Sequence, residues 1–143
     1  MKAAATKRLV LDASVAIAWC VDDESNALSE DVLDLLASGG QAVVPAIWPV
    51  EVANALLVAE RRKRITTAQV TAQLGRIARL PILVEPTPPD RAFGAVLATA
   101  RHHQLAEYDA AYLELALREG IPLATLDGDL KRAARGMGIK LID

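Results

Sequence analysis

The chain is short of cysteine, aromatics and long apolar runs, and each shortage excludes a class of protein. A single thiol, Cys20, can form neither an internal disulfide nor a cysteine-cluster zinc site, and its apolar helical surroundings suit a buried, unreactive side chain. The longest stretch without charged or polar side chains, Ala42 to Val50, contains two prolines and falls far short of the roughly 20 residues a spanning helix needs. The N-terminal MKAAATKRLVLDAS carries basic charge, but its apolar part breaks at Asp12 before the core of a secretion signal could form. The expectation is a cytoplasmic protein with no membrane segment. Only five aromatic side chains are present, so the core must be built from Ala, Val, Leu and Ile, which suits helices packed closely on a parallel sheet. Excess basic charge is also missing: 16 Lys and Arg stand against 18 Asp and Glu, which argues against a dense cationic surface for gripping nucleic acid.

What is present is an alternation of strands and helices over 143 residues, the size of one domain. Arg8 to Leu11 is a short apolar run ending at an Asp, and an Ala-rich helical stretch follows to about Val21. Ser25 or Asn26 can cap a helix through about Ser38, which Gly39 and Gly40 stop before a strand at Ala42 to Val44. A helix from about Ile47 to Arg64 and another from Thr66 or Thr67 to about Arg79 lead to a strand at Ile82 to Val84. Beyond the turn at Pro86, Pro88 and Pro89, helices are predicted from about Asp90 to His103 and from about Tyr108 to Glu119. A strand at Leu123 to Leu126, a helix at Asp127 to Arg135 and a final edge strand at Ile139 to Ile142 complete the pattern. The prediction is one domain over residues 1–143, a three-layer α/β/α arrangement around a parallel sheet of about five strands. In such sheets ligands bind beyond the carboxyl ends of the strands, near the switch in strand order.

Four acids stand out against that pattern. Asp12 and Asp127 each follow a predicted strand directly, where an Asp can cap the next helix or face a ligand. Glu51 is the only charge between Ile47 and Ala59, on a helix apolar nearly all round, and steps of about 100° per residue set it beside Ile47, Asn54, Ala55 and Val58. A first-turn acid favoured by the helix dipole accounts for its position but not for its burial. Asn54, one turn on, is a second polar group that needs a partner inside. Asp109 points away from the polar face of its helix, which carries Glu107, Glu114 and Arg118, toward Tyr112, Leu113 and Ala116. A buried carboxylate must lose its charge, be paired or find a cation, and four together cannot pair with one another. A hard divalent cation, Mg²⁺ or Mn²⁺, resolves the conflict. With these four acids set aside, 16 basic residues face 14 acidic ones, and the basic ones gather at Arg61, Arg62, Lys63 and Arg64 and at Lys131, Arg132 and Arg135, which leaves room for modest phosphate affinity.

At these residues the chain resembles the PIN-domain ribonucleases, in particular the toxins of type II toxin–antitoxin pairs of the VapBC class. L-V-L-D-A-S (Leu9 to Ser14) is similar to the family's opening strand with its first acid and a following hydroxyl. P-A-I-W-P-V-E-V-A-N-A-L (Pro45 to Leu56) resembles its Glu helix, with Glu51 and Asn54 in E-x-x-N spacing. Y-D-A-A-Y-L-E-L-A (Tyr108 to Ala116) and L-A-T-L-D-G-D-L (Leu123 to Leu130) resemble the third and fourth acidic motifs. The motifs are weak singly and specific in this order and spacing, and they span nearly the whole chain. One departure is Ala106, where relatives often carry Ser or Thr. Two extra acids stand nearby: Asp129 is a further candidate ligand and Glu107 a solvated neighbour.

The resemblance implies an endoribonuclease in which Asp12, Asp109 and Asp127 hold a principal Mg²⁺, with Mn²⁺ as a substitute, and Glu51 binds a second ion or orients the attacking water. Ser14, Asn54 and Thr125 are then hydrogen-bond partners behind the ligands. It also implies hydrolysis of tRNA, rRNA or mRNA to a 5′-phosphate and a 3′-hydroxyl, a homodimer, and a cognate VapB-like antitoxin. Two other readings were weighed. An inactive PIN-like scaffold keeps the same residues without turnover. A Mg²⁺-binding phospho-receiver would need a phosphorylatable Asp after a mid-chain strand and a Lys after a late one, whereas Glu85-Pro86 and Asp127 stand there. Adjacent His102 and His103 point about 100° apart on a helix and form no pair of ligands.

Overall fold

The computed structural model describes residues 7–143, so part of the N-terminal stretch read for a secretion signal lies outside the described residues. Four parallel strands form the sheet: β1 (Arg8–Leu11), β2 (Gln41–Pro45), β3 (Ile82–Glu85) and β4 (Leu123–Ala124), in the order β3-β2-β1-β4. Leu9 stands opposite Ala42, and Val10 and Leu11 stand opposite Leu123 and Ala124. The first three strands are added in one direction and the fourth on the other side of β1. The reversal of order therefore falls between β1 and β4, where the α/β rule places a ligand.

Helices flank the sheet. They are α1 (Ala13–Cys20), α2 (Ala27–Ala37), α3 (Trp48–Arg61), α4 (Thr67–Ile77), α5 (Pro89–Arg91), α6 (Leu97–His103), α7 (Glu107–Glu119) and α8 (Gly128–Gly136). Local chemistry sets several boundaries. The Asn26 side chain accepts from Ser29 N while the Ser29 hydroxyl accepts from Asn26 N, a reciprocal cap that starts α2. Thr66 and Gln69 do the same for α4. Gly120 closes α7 at φ 66°, a left-handed geometry that costs glycine nothing. The core joins Leu9, Val10 and Leu11 to Val43, Val44, Leu56, Leu113 and Leu123, all aliphatic, with α7 packed across β1 and β2.

Three sequence expectations change here. The stretch read as one helix from Asp90 to His103 is interrupted by a π-helical turn at Ala92–Val96. The final edge strand is reduced to one parallel bridge, Leu141 to Leu123, because β4 offers only two residues to pair with. Glu114, assigned to the exposed face of α7, is buried: the segment from Ala92 through α6 covers that side, and Arg118 and Arg91 reach its Oε1 at 3.0 and 3.8 Å.

Candidate active-site cleft

Where β1 ends, Asp12 N donates to the carbonyl of Ala124, fixing the first acid to the end of β4. The Asp12 side chain is 6% exposed, and although it stands at the N-cap of α1 it makes no capping hydrogen bond. Its Oδ2 instead accepts from the hydroxyls of Ser14 at 2.6 Å and Thr125 at 2.7 Å. Each hydroxyl is itself oriented, since Ser14 Oγ accepts from Leu126 N and Thr125 Oγ1 from Asp127 N, both at 3.0 Å. Burial raises the Asp12 carboxyl above the ordinary carboxylate range; the two hydroxyls pull it back in part, and the charge of Asp127 pushes it further up.

Glu51 arrives from the first turn of α3, whose start is set by Pro49. The hydroxyl of Tyr112 donates to Glu51 Oε1 at 2.7 Å. Burial raises the Glu51 carboxyl, the Tyr112 hydrogen bond lowers it, and the charges of Asp12 and Asp109 raise it. Tyr112 is fully buried, and burial followed by the Glu51 contact drives its hydroxyl far above the usual phenol range. Sequence reasoning missed this partner, although the signal was present: a phenol on the apolar face of α7, one turn from Asp109, must find an acceptor. Asp109 is half-buried in the first turn of α7, raised by burial and then by the charges of Asp12, Asp127 and Asp129.

Asp127 does act as a cap, since its side chain accepts from Asp129 N at 3.0 Å at the start of α8. Its Oδ1 takes that bond, while Oδ2 has no hydrogen bond among the described residues. Asp12, Ser14, Glu51, Asn54, Asp109 and Asp127 all line one cleft of about 530 Å³. Asn54 is exposed on its wall and makes no side-chain hydrogen bond among the described residues, so the interior partner expected for it is not needed. Asp129 is exposed and held by Arg132 at 2.6 Å, outside the lining of this cleft. Glu107 is exposed, and Ala106 leaves the start of α7 without a side-chain cap. His102 and His103 sit edge to face at the end of α6, away from the cleft lining.

Among the described residues no Lys, Arg or His lines the cleft, and no ion pair reaches Asp12, Glu51, Asp109 or Asp127. Nor, among the described residues, do three His, Cys, Asp or Glu side chains stand assembled as a closed metal cage. The donor set is all oxygen, which fits Mg²⁺ or Mn²⁺; a hard ion of that kind keeps several waters and needs only one or two direct carboxylates. Nitrogen and sulfur donors of the zinc type are missing from it, Cys20 being buried elsewhere with its thiol pushed up to about 11 by burial.

A search of the curated proteins finds no match. Among solved structures the fold is similar to that of PAE2754 from Pyrobaculum aerophilum, with a TM-score of 0.71 and 23% identity over 97% of this chain and 92% of that one. It is also similar to VapBC2 from Rickettsia felis, solved with a promoter DNA fragment, at 0.65 and 14% over 94% of this chain and 97% of that one. VapC20 from Mycobacterium tuberculosis, described as a sarcin–ricin loop cleaving toxin, gives 0.62 and 19% over 87% of this chain and 94% of that one. The family model of the PIN domain matches residues 9–136, a span that takes in every carboxylate of the cleft, and the chain therefore belongs to the PIN-domain family.

Proposed function

We propose that this chain is a Mg²⁺-dependent endoribonuclease, folded as one PIN domain along its length, and the toxin of a type II toxin–antitoxin pair. The observation that carries the reading is the gathering of four carboxylates in one cleft with no Lys, Arg or His on its lining among the described residues. Burial raises Asp12, Glu51 and Asp109, and the charges of neighbouring carboxylates add to the rise; a divalent ion would offset that second, mutual part. PIN domains are generally nucleases, and the similarity to toxins such as VapC20 supports RNA as the substrate class.

In this reading Asp12, Asp109 and Asp127 hold the principal ion, with Mn²⁺ as a substitute. When bound, the ion supplies a nucleophile near neutral pH, neutralises phosphoryl charge and stabilises the leaving alkoxide. The work of the chain is positioning. Ser14 and Thr125 both bond Oδ2 of Asp12 and so fix the orientation of a carboxylate that lines the cleft. Tyr112 holds Oε1 of Glu51, which leaves Oε2 to bind a second ion or to orient the attacking water. Asn54 offers an amide donor from the cleft wall. The products are a 5′-phosphate and a 3′-hydroxyl. Leu57, exposed on α3 outside the cleft lining, supports an association surface for a second copy and for an antitoxin segment.

The test is cleavage of mixed RNA by the purified protein. Activity should require Mg²⁺ or Mn²⁺, stop with EDTA, and vanish in Asp12→Ala and Asp127→Ala proteins whose circular dichroism is unchanged. Cleavage retained by Asp12→Ala refutes the site. Expression alone should inhibit growth and an antitoxin should rescue it; a stable monomer by light scattering, harmless when expressed yet active on RNA, overturns the toxin role and leaves the nuclease.

A further inference from the structure

The cleft has a second character that its carboxylates do not explain. Of the five aromatic side chains, Trp48 and Tyr112 are buried, and Trp19 is half-buried with its indole N–H donating to the carbonyl of Ser29. Phe93 and Tyr108 are exposed, and of these two Tyr108 lines the cleft. Tyr108 is 55% exposed in the first turn of α7, directly before Asp109, and its hydroxyl makes no hydrogen bond among the described residues. Val50 repeats the arrangement on α3: it is 62% exposed, lines the same cleft and directly precedes Glu51. Two helices thus each present an exposed apolar side chain beside the acid they deliver. Neither residue gains much by burial, so the stability of the fold does not account for them.

Charge says what such a surface can hold. A nucleic-acid strand entering here meets four carboxylates and, among the described residues, no Lys, Arg or His on the cleft lining. Bound cations would offset part of that charge at the reacting phosphate, but the walls offer the neighbouring phosphates no counter-charge. Lys131, Arg132 and Arg135 lie outside this lining, so within the cleft the contact beside the reacting group is made to the uncharged ribose and base, and of these the base has the flat face that a tyrosine ring matches. Aromatic stacking supplies that contact without demanding a particular sequence, and it needs a base that is not already stacked in a duplex.

We infer that the cleft contains a base-binding subsite in which the ring of Tyr108, with Val50 as an apolar neighbour, receives an unpaired nucleobase next to the reacting phosphate. The inference rests on the nuclease reading and makes Tyr108 a specificity-determining residue.

The experiment uses the full chain and a short fluorescein-labelled single-stranded RNA, together with copies in which one abasic nucleotide is walked along the strand. Binding is read by anisotropy in Ca²⁺ and cleavage as kcat/KM in Mn²⁺. Tyr108→Phe, which keeps the ring, should stay within about twofold of wild type, whereas Tyr108→Ala and Tyr108→Leu should lose roughly ten- to hundredfold, carried by Kd and KM more than by kcat. At one position the abasic RNA should cost wild type the same factor and cost Tyr108→Ala nothing further, the signature of a direct pair. Tyr108→Ala and Tyr108→Leu proteins that match wild type in Kd and kcat/KM, as a surface meant for a protein partner would give, overturn the inference and leave the nuclease standing. So does an abasic penalty as large in the Tyr108→Ala protein as in wild type. A wild-type chain that neither binds nor cleaves the RNA overturns both readings together.

Discussion

Replacing Asp12 by asparagine removes one charge from the cleft while keeping the shape of the side chain. Its Oδ2 takes hydrogen bonds of 2.6 and 2.7 Å from Ser14 and Thr125, and a neutral acceptor weakens both, at a cost of about 1–2 kcal/mol together. Against that stands burial, the largest influence on the group, which raises the Asp12 carboxyl and penalises its charge. The two effects oppose each other, so without metal at neutral pH Asp12→Asn should melt within a few degrees of wild type. Metal should separate them. A cation that binds only the native state, present at about a hundred times its dissociation constant, stabilises by about 2.7 kcal/mol, or about 8 °C in a chain of this size. Thermal unfolding in EDTA, Mg²⁺ and Mn²⁺ should show that rise for wild type and little of it for Asp12→Asn. The pH dependence supplies an independent check. Asp12, Glu51 and Asp109 are all raised in the folded chain, so the folded state holds protons that the unfolded state releases. Their stabilising contribution is complete below the ordinary carboxylate value near pH 4 and is lost as pH rises through the raised folded values. Metal-free wild type should therefore lose stability toward neutral pH more steeply than Asp12→Asn. An equal metal shift in the two proteins, with equal pH slopes, refutes the reasoning.

Two further predictions concern groups behind the cleft. Tyr112→Phe removes the donor that lowers the Glu51 carboxyl, so the acidic limb of the pH–rate profile should move to higher pH and stability should fall by about 1 kcal/mol; an unmoved limb contradicts the role given to Tyr112. Glu114→Gln breaks a contact whose arginines are about one-third exposed and can rehydrate, so denaturant unfolding should show a loss of about 2 kcal/mol, below that of a fully buried pair, with the metal response of the cleft unchanged.

The sequence made the cleft largely readable because each acid breaks an otherwise apolar pattern. Asp12 ends a run of buried residues, and Glu51 is alone on its stretch of α3, so a local rule exposes the conflict. The caps of α2 and α4 were legible to within one residue, Asn26 rather than Ser25 and Thr66 rather than Thr67, since a cap depends on residues three apart. What could not be read depends on contacts distant along the chain. Glu114 looked like a surface residue because a helical wheel of α7 cannot show that the Ala92–Val96 turn and α6 cover that side. Asn54 looked as though it needed an inward partner, because the wheel does not reveal that its neighbourhood opens into a cleft. The π-helical turn leaves no periodicity signal in five residues, and the last strand shrank because a pairing length is set by the partner, here the two residues of β4.

The bond between Thr125 and Asp12 joins positions 113 residues apart, just past the paired ends of β1 and β4. Asp12 leaves the ribosome early, but the hydroxyl that orients it and the acid beyond that hydroxyl are made more than a hundred residues later. During synthesis the chain therefore carries its acids as scattered, solvated side chains, and the contact that unites them is of the long-range kind that forms slowly. The cleft of such a protein is incomplete until β4 and the residues after it have been made. Strand order thus acts as a clock: the last strand to be synthesised is the one that arms the cleft.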